Sequence, residues 1–311
     1  MISIIDAIAD FLVHCSIKGF SKRTLFSYKS SLKAFQEYTT NNGINDISEL
    51  TKRTITEYQH YLQAEYTSPK GKPLATSTQC QKLTALKSFF HYCYDEGHTV
   101  NNYADRIVFP KIPKNLPKGI LSKQQIKKLF KLPNTKTPIG YRDRVIMEIF
   151  YATGLRRQEL ENVRIEDCYL SERLLFVNKG KGGKQRWVPL GKKITTILKH
   201  YLNETRPQLV KNKTHNILIV GDKGGPMRGY RMHHIISKYF KHLGIEGHCH
   251  GLRHSCATHL LKGKANVRVI QQLLGHTSLS STQVYTHVDI TDLTKAINKH
   301  HPREDMECNN D

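Results

Sequence analysis

The chain has 311 residues, a net charge of +22 and seven cysteines. That length is enough for two domains, each with its own core, and no run of about 18 apolar residues is present, which excludes a transmembrane helix. The cysteines are scattered, odd in number and without a CxxC pair, so they point to reduced thiols in a cytoplasmic protein. The charge is unevenly spread. Residues 1–110 carry 12 Lys and Arg against 10 Asp and Glu, whereas residues 111–311 carry 36 against 16. Such an excess on one half of a folded chain implies a polyanionic partner, most often nucleic acid.

The first stretch, "MISIIDAIADFLVHCSIKGF", places Asp6 and Asp10 inside an apolar pattern and lacks a basic leading region. It reads as an amphipathic helix and not as a signal peptide. In "SKRTLFSYKSSLKAFQEYTTNNG", Ser21 is a candidate cap, and Leu25, Tyr28, Leu32 and Phe35 form one stripe before a stop at Asn41–Gly43. "TITEYQHYLQAEY" opens with the capping-box pair Thr54 and Glu57 and spaces Ile55, Tyr58, Tyr61 and Leu62 helically. A fourth helix, "ATSTQCQKLTALKSFFHYCYDEG", turns Leu83, Leu86, Phe89 and Phe90 inward. Lys29, Lys33, Lys82 and Lys87 lie on the other faces of the second and fourth helices, either as a solvated surface or as DNA phosphate contacts.

"PKIPKNLPKG", residues 110–119, reads as a stiff interdomain linker, because proline forbids a continuing helix. It separates an all-helical domain, 1–109, from a second domain, 120–298, followed by a polar tail, 299–311, whose composition in "PREDMECNND" predicts disorder. The second domain begins with a capping-box pair, Ser122 and Gln125, and continues through a helix in "GYRDRVIMEIFYATG". "RLLFVNKGKGGKQRWVPLG" is a hairpin around a basic, glycine-rich turn, and "NILIV" before "GDKGG" is a further strand. From about residue 230 the pattern is helical again. The fold class is therefore mainly α with a small β-sheet: an all-helical N-terminal domain plus a mixed α+β domain.

Four blocks of the second half carry chemistry. In "YATGLRRQELENV" a helix ends at Gly154, and Arg156 stands at the start of the next, where it can grip an anion or merely pair with Glu159 or Glu161. "HGLRHSCATHLLKG" puts His250 and Arg253 on one helix face. The same segment crowds His248, Cys249, His250, His254 and His259, but it lacks the acidic ligand or CxxC pair of a complete zinc set. In "NKGKGGKQR", Lys181 sits between glycines, with Lys179 and Lys184 beside it. "LLGHTSLSSTQVYTHV" presents His276 and Tyr285, with caps at Ser280 or Ser281 for a short helix bearing the tyrosine. Two arginines, two histidines, a lysine and a tyrosine suit phosphoryl transfer on DNA without a metal or other cofactor: a nucleophile, charge neutralisation and a proton for the leaving oxygen.

The order of "TGLRRQEL", "KGKGGKQRWVPL", "HGLRHSCATHLL" and "LLGHTSLSSTQVYTHV" resembles the tyrosine recombinase, or phage integrase, family, most closely its Xer-type members. The resemblance implies a SAM-like core-binding domain before a catalytic domain, the two closing as a C-shaped clamp on DNA. It implies that Arg156 and Arg253 clamp the scissile phosphate and that Lys181 protonates the leaving 5′-hydroxyl. His250 would serve proton transfer at the nucleophile, His276 would hydrogen-bond the phosphate, and Tyr285 would attack to give a 3′-phosphotyrosyl link. Lys179 and Lys184 would then contact DNA, as would the lysines of the first domain. The implied assembly is a homotetramer, or a heterotetramer with a second recombinase, on two paired DNA sites, exchanging strands through a Holliday junction. The last helix, "DITDLTKAINKHH", with Ile290, Leu293, Ala296 and Ile297 apolar, is core if packed at home and would dock on a neighbouring subunit by the resemblance. Three other readings predict different behaviour. A non-cleaving DNA-binding regulator forms no adduct, a type IB topoisomerase needs no paired sites, and a metal-dependent nuclease fails in chelator.

Overall fold

The computed structural model describes residues 2–67, 71–112, 119–178, 185–211, 214–275 and 287–305. It divides into two compact units, Met1–Lys114 and Asn115–Asp311.

The first unit is built from α1 (Ile4–Ile17), α2 (Lys22–Asn41), α3 (Lys52–Ala64) and α4 (Thr76–Asp95). Each start follows from local chemistry: Ser3 and Ser21 stand extended and accept from the backbone N–H groups of Asp6 and Thr24. The start of α3 differs from the sequence reading. Its capping box joins Thr51 to Thr54, because Thr51 is the residue held extended, while Glu57 lies inside the helix and pairs with Arg53 at 2.7 Å. Leu32, Phe35, Ile55, Tyr58, Leu62, Leu83, Leu86, Phe89 and Phe90 are all buried, as their helical spacing requires. Phe35 meets Tyr58 and Phe90 edge to face, with ring centroids 5.0 and 5.7 Å apart.

The second unit is organised around α6 (Pro138–Thr153), which follows α5 (Lys123–Lys131). Ser122 and Gln125 form the expected capping box on α5. Most of α6 is buried on every side, so neighbours cover its whole circumference, and α11 (Cys249–Lys262) packs along it. Gly154 ends α6 in the left-handed conformation, and α7 (Arg157–Asn162) begins three residues later. An antiparallel sheet of β1 (Cys168–Tyr169), β2 (Leu174–Val177) and β3 (Arg186–Pro189) follows, with Val177 opposite Arg186. The hairpin expected from the sequence is therefore β2 and β3.

The "NILIV" segment is not a strand of that sheet. Leu218, Ile219 and Val220 are buried, but the segment makes only isolated bridges, Arg164 to Ile217 and Val220 to Pro226. The Leu218 N–H is used by the Val163 carbonyl, and the chain doubles back at Gly221–Gly225, so its backbone is satisfied without a sheet neighbour.

After β3 come α8 (Lys192–His200), a π-helical turn at Tyr201–Thr205, α9 (Arg206–Val210), α10 (Gly229–His242), α11, α12 (Val267–Leu274) and α13 (His287–His300). Leu293 and Ile297 of α13 are buried in this unit's own core. No helix among the described residues is long and apolar enough to cross a membrane.

Part of the polar tail is ordered, contrary to the sequence expectation. Pro302–Asp305 form a short turn, α14, in which Arg303 is buried and donates to both oxygens of the fully buried Glu148 at 2.7 and 2.8 Å. Two opposite buried charges hold one another where a polar sequence alone predicts solvation. His301 beside it donates from Nε2 to the Tyr151 carbonyl at 3.1 Å, and burial pushes its pKa down to about 4.

Because the unfolded His301 would titrate at about 6.5, the unfolded chain binds more protons between those two values. This contribution to stability is complete above about pH 6.5 and is lost as pH falls towards 4. Thermal unfolding followed from pH 7.5 to 4.5 should show that slope, and His301→Gln should flatten it. Arg303→Met should cost about 2 kcal/mol in urea unfolding, since it leaves the buried Glu148 with Arg144 as its one remaining arginine partner.

Candidate active site

Arg156 is the N-cap of α7, and the sequence places Glu159 three residues on, where its carboxylate reaches back to the cap. The Arg156 N–H donates to Glu159 Oε2 at 2.7 Å, and the guanidinium donates to Oε1 at 2.9 Å. Its other nitrogen donates to the Gly275 carbonyl at 2.6 Å. Of the two partners open to Arg156 from sequence, Glu159 is the one used, and the anion-gripping role is compatible with it because the side chain stays 22% exposed.

Arg253 projects from the second turn of α11 and is nearly buried. Its guanidinium donates to the Gly154 carbonyl and, at 2.7 Å, to the Leu274 carbonyl. Burial and then the nearby Arg156 charge push its pKa down to about 10, which still leaves it cationic at neutral pH. The two arginines thus converge on consecutive carbonyls, Leu274 and Gly275, at the C-terminal end of α12. Free carbonyls at a helix end carry partial negative charge, so they suit guanidinium groups awaiting an anion.

His250 lies in the first turn of α11, one turn before Arg253. Its N–H donates to Nδ1 of His248, the residue that caps the helix, at 3.2 Å. Partial burial of the ring, then the charges of His248 and Arg253, hold the His250 pKa below its ordinary value. A neutral imidazole at physiological pH can accept a proton. The His248 ring in turn packs on His233 of α10, centroids 4.9 Å apart. Among the described residues no group of three His, Cys, Asp or Glu side chains is arranged to hold a metal ion.

Three of the six expected catalytic residues, Arg156, His250 and Arg253, are therefore on neighbouring elements. Lys181, His276 and Tyr285 lie outside the described residues, as do Lys179 and Lys184. Their flanks are described: β2 precedes and β3 follows the lysine-bearing segment in sequence, Gly275 precedes His276, and α13 begins two residues after Tyr285. In the first unit, Lys29 and Lys33 are exposed on α2, where Lys33 lies 3.6 Å from Glu37. Lys82 and Lys87 are half-buried on α4, and the Lys82 ammonium sits 4.8 Å over the Tyr66 ring. Burial lowers the Lys82 pKa, and that aromatic contact favours a structural part for this lysine.

Arg186 was not singled out by sequence reasoning. It is 4% exposed and donates to both Glu159 oxygens, at 2.8 and 2.9 Å. Burial alone would raise the Glu159 pKa, but hydrogen bonds and charge from Arg186, then from Arg156, outweigh it and hold the carboxyl below its usual range. The available signal was the strand alternation: Arg186 shares the inward phase of β3 with Val188, where an arginine requires a buried partner.

This arrangement of a helical unit followed by a mixed unit with a guanidinium-lined site has close parallels among known proteins. Residues 3–108 match the phage integrase SAM-like domain, and residues 120–291 match the phage integrase family model. The tyrosine recombinase XerC 2 of Ralstonia nicotianae is 36% identical over 93% of this chain and 85% of its own length. The tyrosine recombinase XerD of Listeria innocua is 36% identical over 96% of this chain and 99% of its own. The fold is similar to a lambda integrase tetramer bound to a Holliday junction, with a TM-score of 0.64, 18% identity, and 92% and 81% of the two chains covered. The chain belongs to the phage integrase family, and it is a site-specific tyrosine recombinase, an enzyme that breaks and rejoins DNA strands.

Gly154 tests how tightly the site is built. Its φ is +62°, and an added Cβ would lie 2.5 Å from Leu274 Cδ2, beside the carbonyl that holds Arg253. Gly154→Ala should cost about 2 kcal/mol of stability in urea unfolding and should also slow DNA cleavage, because the strain falls on Leu274, whose carbonyl holds Arg253.

Proposed function

We propose that Arg156 and Arg253 grip the scissile phosphate of duplex DNA while Tyr285 attacks it. The observation that carries this reading is their convergence on the Leu274 and Gly275 carbonyls, immediately before the segment that bears His276 and Tyr285. A phosphate oxygen outcompetes a neutral carbonyl for a guanidinium, so DNA draws both arginines onto the reacting group. Their charge then stabilises the pentavalent phosphorane as it develops.

The step balances as a transesterification. Tyr285 Oη forms a bond to phosphorus and loses its proton towards His250, while His276 hydrogen-bonds a phosphate oxygen. The bond from phosphorus to the 5′-oxygen breaks, and Lys181 gives that oxygen a proton. A free tyrosine has a pKa near 10, so the neutral, partly buried His250 and the two cations lower the cost of this attack. The 3′-phosphotyrosyl link retains the bond energy, and a 5′-hydroxyl from the paired site reverses the reaction to join the strands, passing through a Holliday junction.

The active assembly in this reading is a tetramer on two paired sites, homomeric or shared with a second recombinase. A lambda integrase of the same fold forms a tetramer on a Holliday junction, which supports it. The excess of 36 Lys and Arg over 16 Asp and Glu in residues 111–311 supplies the phosphate contacts, with Lys179 and Lys184 among them. In the first unit, Lys29, Lys33 and Lys87 contact phosphates in this reading, and the enzyme works in the cytoplasm, at the nucleoid.

Expression beside its native genomic region, lysis into denaturant and sequencing of DNA attached to the purified chain tests the assignment. The expected result is a nucleotide-bearing peptide containing Tyr285 and a single enriched DNA site, both absent from Tyr285→Phe. On nicked duplexes that prevent religation, tight binding without any adduct would overturn the assignment of Tyr285. DNA affinity should fall steeply between low and moderate salt, by about a thousandfold if six or more phosphates are contacted.

A further inference from the structure

Arg186 touches both the carboxylate that holds Arg156 and the last turn of α12. Through its bidentate contact with Glu159, at 2.8 and 2.9 Å, it is linked to Arg156, which the same carboxylate holds at 2.9 Å. Through Nε it donates to the Leu273 carbonyl at 3.3 Å, at the end of α12 from which the chain leads to His276 and Tyr285. It pairs with Val177 at the open end of the β2–β3 ladder, the end from which the sequence runs on to Lys181. Gly275 is shaped to it: an added Cβ there would lie 3.1 Å from the guanidinium.

We infer that Arg186 is a positioning residue for strand cleavage, holding Glu159 so that Arg156 stays free to bind phosphate. The reasoning is electrostatic. Glu159 is a buried carboxylate that needs a cationic partner. With Arg186 in place, its charge is balanced from within the fold, and the Arg156–Glu159–Arg186 group retains one net positive charge for the DNA. Without Arg186, Glu159 has Arg156 as its sole partner among these groups, and the cation meant for the scissile phosphate is neutralised. The inference rests on the proposed role of Arg156 and extends it to a residue that does not touch DNA.

The test is single-turnover cleavage of a nicked duplex carrying the genomically captured site, with DNA affinity and thermal unfolding measured in parallel. Arg186→Met should slow adduct formation by about 100-fold or more while leaving affinity largely unchanged. Adding Glu159→Gln to Arg186→Met should restore about 10-fold of that loss, because the uncompensated carboxylate is gone. A residue that merely packs the core would show no such rescue. Arg186→Lys, which keeps the charge but not the paired hydrogen bonds, should cleave at an intermediate rate, and it serves if the methionine variant does not fold. Wild-type rates in Arg186→Met, or a loss that Glu159→Gln leaves unchanged or deepens, would overturn the inference. So would an Arg186→Lys variant no faster than Arg186→Met. Absence of adduct from the wild-type protein would instead overturn the proposed function on which the inference rests.

Discussion

Guanidinium groups gathered at one site repel one another and must be held by fixed acceptors. This protein meets that constraint with one buried carboxylate and one helix end. Glu159 lies between Arg156 and Arg186, and the carbonyls of Leu273, Leu274 and Gly275 receive Arg186, Arg253 and Arg156 in turn. Each of these acceptors is neutral or internally balanced, so an incoming phosphodiester is the strongest partner on offer. Much of the second unit follows from keeping those acceptors in place: a left-handed Gly154 that turns α6 into α7, a glycine at 275 that leaves room for Arg186, and an α6 buried all round as the reference on which α11 is set.

The C-terminal end of the chain obeys a related rule. Glu148 is fully buried within α6 and is reached by Arg144 of its own helix and by Arg303 from the far end of the sequence. His301 lies buried next to it, against Tyr151 and Cys256. A carboxylate on the central helix thus fixes the chain just beyond α13, the helix that follows the Tyr285 segment. The site arginines and the tail anchor therefore use the same device, a buried acid on or next to α6 answered by arginine from a distant segment.

Much of the fold was legible in the sequence. Apolar residues at helical spacing identified α1 to α4, because helices that pack on one face must repeat that face every three or four residues. Ser21 and Ser122 identified helix starts because a side-chain oxygen at that position replaces a missing backbone acceptor. The errors have the same kind of cause. Thr54 and Glu57 fit the capping pattern, yet backbone extension occurs at Thr51, which composition does not encode. "NILIV" has the apolar content of a strand, but strand status depends on a neighbour, and its neighbour is a loop.

The sequence by itself determined the chemistry. The order of the four motifs and their resemblance to the phage integrase family supply the proposed set Arg156, Lys181, His250, Arg253, His276 and Tyr285, whose residue types match what a phosphoryl-transfer site needs: cations, proton carriers and a nucleophile. Tertiary structure alone decided what holds that chemistry in place. Glu159 is 27 positions from Arg186, and Glu148 is 155 from Arg303, so neither pairing has a local signature. Whether an arginine faces water or a buried carboxylate depends on which distant segment folds over it, and burial is what turns an ordinary charge pair into a fixed support.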